Sequence, residues 1–191
     1  MGFTMVELLV CISILSIMMA FFCAAIKNAR GMARSIACVN NLKQIGLATM
    51  LYSNDNEGWL PESSGDGAYW YNGNRPNAIG RYLKYETYWP PYPGIAYCPA
   101  EMTRPEGQSQ KAISYAMNYI TLGSYDRVDS LSQPSKVVFL IDSLPNQTTI
   151  RGVVDNLERL SYRHNGKANA WFLDGHVESL ESIAIELLQK K

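Results

Sequence analysis

Charge is what this chain lacks most, in two senses. Its 17 Lys and Arg balance 17 Asp and Glu, leaving a formal net charge of zero. That removes the electrostatic footprint on which nucleic-acid binding depends. Charge is also missing locally, because residues 8–26 carry none and Glu7 is the single charged residue before Lys27. Histidine is scarce as well, at two residues, and cysteine is limited to four. No Gly-x-Ser-x-Gly elbow, HExxH pair or phosphate-binding glycine loop occurs, so the usual hydrolase, metalloprotease and nucleotide-binding chemistries have no foothold. Asp126, Asp129, Asp142, Asp155 and Asp174 are spread out, without the compact acidic loop that calcium favours. Neither an internal repeat nor a low-complexity tract is present.

What is present begins with the uncharged run LLVCISILSIMMAFFCAAI. Its length is about that needed to cross the hydrocarbon core as a helix. A secretory signal peptide would show a basic start, a shorter apolar core and a small-residue cleavage site. Here the run is flanked by Glu7, and an unpaired carboxylate at a lipid edge is costly unless it has a partner or a role.

The stretch GFTMVELLV resembles the prepilin cleavage and methylation motif, in which a peptidase cuts after Gly, Phe becomes the new residue 1 and Glu follows at position 5. Gly2, Phe3 and Glu7 fit that spacing. The resemblance implies a type IV pilin or type II secretion pseudopilin, anchored in the inner membrane and assembled through its first helix into a filament. Gly2 and Phe3 would then be the processing site, and Glu7 would neutralise the N-terminal ammonium of a neighbouring subunit. Basic leader residues usual in that family do not precede Gly2, so a truncated leader or a misplaced start codon is expected. Lys27, Arg30 and Arg34 follow the run. By the positive-inside rule alone they would place the rest of the chain in the cytoplasm, whereas the family and the cysteines place it in the periplasm.

Cys11 and Cys23 sit within the apolar run, too far apart along one helix to bond each other, and read as small apolar residues. Cys38 and Cys98 fall in the polar part and are suited to one bridge. Closing that loop would contribute about 4 kcal/mol and would require an oxidising compartment.

After residue 26, Cys38, Leu42, Ile45, Thr49 and Tyr52 recur in steps of a helix face. Asn54, Asp55, Asn56 and Gly58 end the pattern, with Pro61 beyond. A helix over residues 4–53 would be about 75 Å long, with Gly31 and Gly46 as candidate bends. The segments expected are a residual leader at 1–2, a transmembrane helix at 3–26, its amphipathic continuation at 27–54 and a globular domain at 55–191. Roughly 140–160 residues outside the membrane suffice for one compact domain. Of twelve Tyr and four Trp, seven Tyr and two Trp cluster within residues 69–97, as an interaction surface or as packing. The Gly-, Pro- and Asn-rich stretch 61–110 reads as a long ordered loop. Strands are expected at 113–120, 137–142, 168–173 and 176–180, the last two joined by the two-residue hairpin signal Asp174-Gly175. A short helix is expected over 182–189. One long helix followed by an antiparallel meander makes an α+β domain.

The segment CVNNLKQIGLATMLYSNDNEGWLP resembles prepilin-like proteins that carry a C-terminal H-x9-DG motif, whose globular domain has no assigned activity. It is also similar to the major pseudopilins at the helix-to-loop transition. His164, followed by Asp174-Gly175, fits the H-x9-DG spacing, and His176 comes next. Asp-Gly supplies a turn and AWFL a strand, which is a structural role. The other reading makes His164, Asp174 and His176 metal ligands. An acid–base pair of His164 or His176 with Asp142 or Asp174 is thinly supported, and Ser114 and Ser161 have no motif around them. The expectation is therefore no enzyme, no cofactor and no metal: a filament subunit working with other pilin-like subunits, prepilin peptidase and the inner membrane. The alternative is a monomeric membrane-tethered module that binds a ligand or metal.

Overall fold

The computed structural model describes residues 2, 4–61, 79–83, 94–101, 113–118, 127–144, 149–150 and 157–183. Helix α1 (Met5–Asp55) is one unbroken element. It starts where Thr4 and Glu7 satisfy each other. The Glu7 amide donates to Thr4 Oγ1 at 3.3 Å and the Thr4 amide donates to Glu7 Oε2 at 2.8 Å. This capping box occupies two of the backbone donors that a helix start leaves orphaned. It ends where Gly58, with φ +88°, lets its N–H reach back to Ser53 O at 2.8 Å. Within the apolar half, the hydroxyls of Ser13 and Ser16 donate to the carbonyls of Leu9 and Ile12 of the preceding turn.

Strands β1 (Tyr115–Asn118), β2 (Val138–Asp142), β3 (Thr149–Ile150), β4 (Ala168–Phe172) and β5 (Val177–Leu180) follow. Their spatial order is β3-β1-β2-β4-β5. Four strands pair antiparallel, and the two-residue β3 adds a parallel edge to β1. The architecture is α+β: one long helix against a small antiparallel sheet. β1, β2 and β4 are buried along their whole lengths. One face packs Tyr115, Met117, Phe139 and Trp171 against Cys38, Leu42, Ile45 and Tyr52 of α1. The other face, with Ala116, Val138, Ile141 and Phe172, is covered by Leu160 and Ile183. A register shift between Val138 and Leu140 sets both Phe139 and Leu140 in the helix-side core.

The helix is held close by Gly46. A Cβ there would lie 2.2 Å from Trp171, which is itself fully buried. Gly46 is thus a close-approach site, whereas a Cβ on Gly31 would meet open space. The β4–β5 turn also differs from the two-residue hairpin expected. Trp171 pairs with Val177, and the Phe172 amide donates to His176 O, which leaves Leu173, Asp174 and Gly175 as a three-residue loop. Gly175 alone takes positive φ, +99°, and the Gly175 amide donates to Phe172 O. The sequence expectations for most of the aromatic loop and for a helix beyond Ile183 fall outside the described residues.

Candidate functional site

Three groups of residues carry the sequence expectations, and the fold keeps them apart. The first is the helix start, where Gly2 is exposed and Phe3 lies outside the described residues. Glu7 is not the unpartnered carboxylate the sequence suggests. It caps its own helix through Thr4, whose hydroxyl lies 2.7 Å from Glu7 Oε2. The Thr-x-x-Glu spacing is a capping signature, so this role could have been read from the sequence.

The second group surrounds the disulfide. Cys38 on α1 and Cys98 beyond the loop form a bond across 60 positions, and both are fully buried. Beside it lies His164, whose Nε2 is 3.4 Å from Cys98 Sγ and 3.2 Å from Asp142 Oδ2 at the end of β2. That same carboxylate oxygen accepts the Asn169 amide at 2.7 Å. Asp142 is fully buried and His164 nearly so. The phenol of Tyr115 is pushed well above its ordinary value, first by burial and then by the Asp142 charge nearby. Its oxygen faces Asn41 of α1, whose side-chain amide lies at 3.3 Å and also donates to Tyr97 O.

Arg163 completes this interior network, and sequence reading gave no warning of it. Its guanidinium forms an ion pair with Glu101 at 2.7 Å, with both side chains largely buried. It also donates to Ser161 Oγ at 2.9 Å and to the carbonyl of Ser143. Five chain segments meet here: α1, the Cys98–Glu101 turn, β1, β2 and the approach to β4. The network's chemistry is that of a clasp. A metal would need free sulfur donors from Cys38 and Cys98, which together with His164 offer atoms within 4.8 Å of one another. The disulfide occupies both sulfurs.

The third group is the hairpin tip. The Asp174 carboxylate accepts the His176 amide at 3.1 Å and lies 2.5 Å from its Nδ1, while the His176 ring stacks on Phe172 at 4.2 Å. Burial there opposes ionisation of Asp174, but the His176 amide and ring outweigh it and hold the carboxyl below its ordinary range. His164 and Asp174 stand at opposite ends of β4, five residues that span roughly 15 Å. They cannot share one ion, so a metal site of His164, Asp174 and His176 is not formed. Nor do the aspartates gather into an oxygen cage among the described residues. Asp129 pairs with Arg127, Asp142 is enclosed, and Asp174 is at the tip. Asp126 and Asp155 lie outside the described residues. Ser161 is engaged by Arg163, and Ser114 is buried in the approach to β1.

Among the described residues, the long helix carries an extensive uncovered apolar surface. From Leu8 to Phe22 its large apolar side chains are half-exposed or more, with nothing packed on them. This 51-residue helix is long and apolar enough to cross a membrane. Residues 2–22 match the prokaryotic N-terminal methylation motif, and residues 27–89 match a family described as a protein of unknown function, DUF1559. No curated protein and no solved structure matches the chain. The family match stops short of residues 164–175, so the resemblance at the H-x9-DG spacing rests on those residues alone. The chain carries a prepilin-type methylation motif followed by a DUF1559 segment, on an α+β fold of pilin-like form.

Proposed function

We propose that this chain is a structural subunit of a type IV pilus or type II secretion pseudopilus. It would be anchored in the inner membrane with its domain on the periplasmic side, then assembled with other pilin-like subunits through α1. Prepilin peptidase would cut between Gly2 and Phe3, leaving the Thr4–Glu7 cap intact and a free ammonium on Phe3.

The observation that carries this reading is an apolar stripe on the side of α1 that faces away from its own domain. Successive helix residues turn by about 100°. Met32, Ile36, Leu47 and Leu51 therefore fall in an arc of roughly 100°, on the side opposite Cys38, Leu42, Ile45 and Thr49. All four are exposed. The stripe extends the bare apolar surface of the first half as far as Ile36 and, after exposed Asn40 and Lys43 on the same arc, resumes at Leu47 and Leu51, so one helix offers a partner two stretches of uncovered apolar side chains. Such a surface asks for lipid at one end and another helix along its length.

The capping role of Glu7 decides how the assembly test is designed. Glu7→Gln keeps a capping-box side chain and removes only the charge, whereas Glu7→Ala removes both. Losing one partner of a water-poor ion pair costs about 3–5 kcal/mol, enough for a fall of roughly 100-fold or more in subunit incorporation. Electron microscopy and immunoblotting of sheared surface filaments should show that fall for Glu7→Gln, with thermal unfolding of the domain unchanged. Normal filaments from Glu7→Gln subunits would defeat the charge-pair mechanism. A tethered binder predicts no filaments for the wild type either.

A further inference from the structure

Between residues 8 and 54 the helix contains Lys27, Arg30, Arg34 and Lys43 and no acidic residue at all. Three of those cations lie within eight residues of Ile26, the end of the apolar run. Their placement is not even around the helix. Lys27, Arg30 and Arg34 turn toward the side on which the domain sits, away from the Met32–Leu51 stripe. There they line an open groove of about 1080 Å³ beneath the domain, which also takes in Met32 and Ile36 from the first end of the stripe and whose roof is Ala100, His164 and Asn165. His164 and the neighbouring Arg163 at this roof are already committed: Arg163 to Glu101, and His164 to Asp142. The cations of α1 face the groove without an acid of their own helix to neutralise them.

The vertical position of the groove identifies its occupant. At about 1.5 Å per residue, Lys27 and Arg30 stand roughly 2 and 6 Å beyond Ile26, and Arg34 roughly 12 Å. The headgroup layer of one leaflet is about 5–7 Å thick. The first two cations therefore lie within the phosphate layer, and the Arg34 side chain reaches back to it. The first fully buried helix residue of the domain, Cys38, comes a further turn along, about 18 Å beyond Ile26, so on α1 the domain's core begins roughly 11–13 Å above the headgroup layer.

We propose that this groove is a binding site for anionic phospholipid headgroups of the membrane that α1 spans. Arg30 and Arg34 engage the phosphate with their planar forks, and Lys27 adds a point charge from below. The inference rests on the membrane reading given above. It assigns the three cations the task of fixing the depth and tilt of the subunit before assembly. It also gives these positive charges a function on a face where the positive-inside rule disfavours them.

The test uses the full-length chain in nanodiscs of phosphatidylcholine with and without phosphatidylglycerol, with native mass spectrometry counting the lipids that remain bound. Wild type should retain phosphatidylglycerol in preference to phosphatidylcholine. Neutralising Lys27, Arg30 and Arg34 to Gln should reduce that preference by roughly fivefold per cation. Arg30→Lys with Arg34→Lys should preserve most of it, and Lys43→Gln, higher on the helix, should leave it unchanged. No enrichment in wild type, or an equal loss with Lys43→Gln, overturns the site while leaving the membrane subunit in place. A chain that does not insert into either nanodisc overturns both.

Discussion

The two halves of α1 belong to one helix, yet only the second is covered by its own chain. From Cys38 to Tyr52 one face is sealed: Cys38 and Leu42 are fully buried and Ile45 nearly so, under a sheet of this same chain. From Leu8 to Phe22 no side chain is covered by anything the chain supplies. Burying a large apolar side chain contributes about 1.5–3 kcal/mol. The first half collects none of that from its own domain; under the function proposed above, lipid and other subunits would supply it. The difference teaches that the domain's stability is written on the second stretch of the element alone, so substitutions of the same type should act differently in each.

Cysteine gives the widest contrast. Cys38→Ser breaks a bond that closes a 60-position loop, and the chain-entropy estimate puts the loss at about 4 kcal/mol. The variant should unfold at a far lower denaturant concentration than wild type. Cys11 and Cys23 are free and lie on the bare surface. Their Ser variants should leave the domain's unfolding curve unmoved. A comparable loss in either would mean the apolar half contributes to domain folding, and the division drawn here would fall.

Glycine sharpens the comparison because its sign reverses. Gly46→Ala forces a methyl group into Trp171, which has nowhere to go, and overpacking of this kind costs about 1–3 kcal/mol. Gly31→Ala meets open space and removes a weak helix former, so it should stabilise the helix by roughly 0.5–1 kcal/mol. Paired thermal melts of the two variants, with helicity followed by circular dichroism, check both signs.

Sequence patterns carried the elements well and the long-range contacts poorly, for a physical reason. Periodicity marks a face: Cys38, Leu42, Ile45, Thr49 and Tyr52 were legible as one side of a helix, and all are buried. Alternation and turn chemistry marked four of the five strands to within a few residues. Pairwise tertiary facts leave no local trace. Nothing in the string RHNG announces that Arg163 will meet Glu101, or that His164 will meet Asp142 rather than Asp174. The helix glycine pattern cannot say that Gly46 alone faces a tryptophan. The three-residue turn at Leu173–Gly175 was hidden for a similar reason. Asp-Gly signals a tight turn, but the register of β5 on β4 decides its length.

The same division between covered and bare runs along β4, and it yields the smallest effect. His164–Asp142 at the inner end is enclosed, whereas Asp174–His176 at the outer tip stands in solvent, with 36% of the Asp174 side chain exposed. Asp174 is held below its ordinary carboxyl range, despite the opposing effect of burial, by the amide and ring of His176. A carboxyl whose folded value is depressed stabilises the fold above its unfolded value of about 3.9, and that stability is lost as pH falls through the lower, folded value. Exposure screens the interaction, so the loss should be only about 0.3–0.5 kcal/mol. Asp174→Asn retains the oxygen that accepts the His176 amide and removes the charge alone. It should lower stability by that amount at neutral pH and flatten the acid limb of the stability curve between about pH 5 and 2, measured by urea unfolding at each pH. If the limb keeps its full slope in Asp174→Asn, the acid sensitivity belongs to other carboxylates, and the enclosed Asp142 and Glu101 become the groups to titrate.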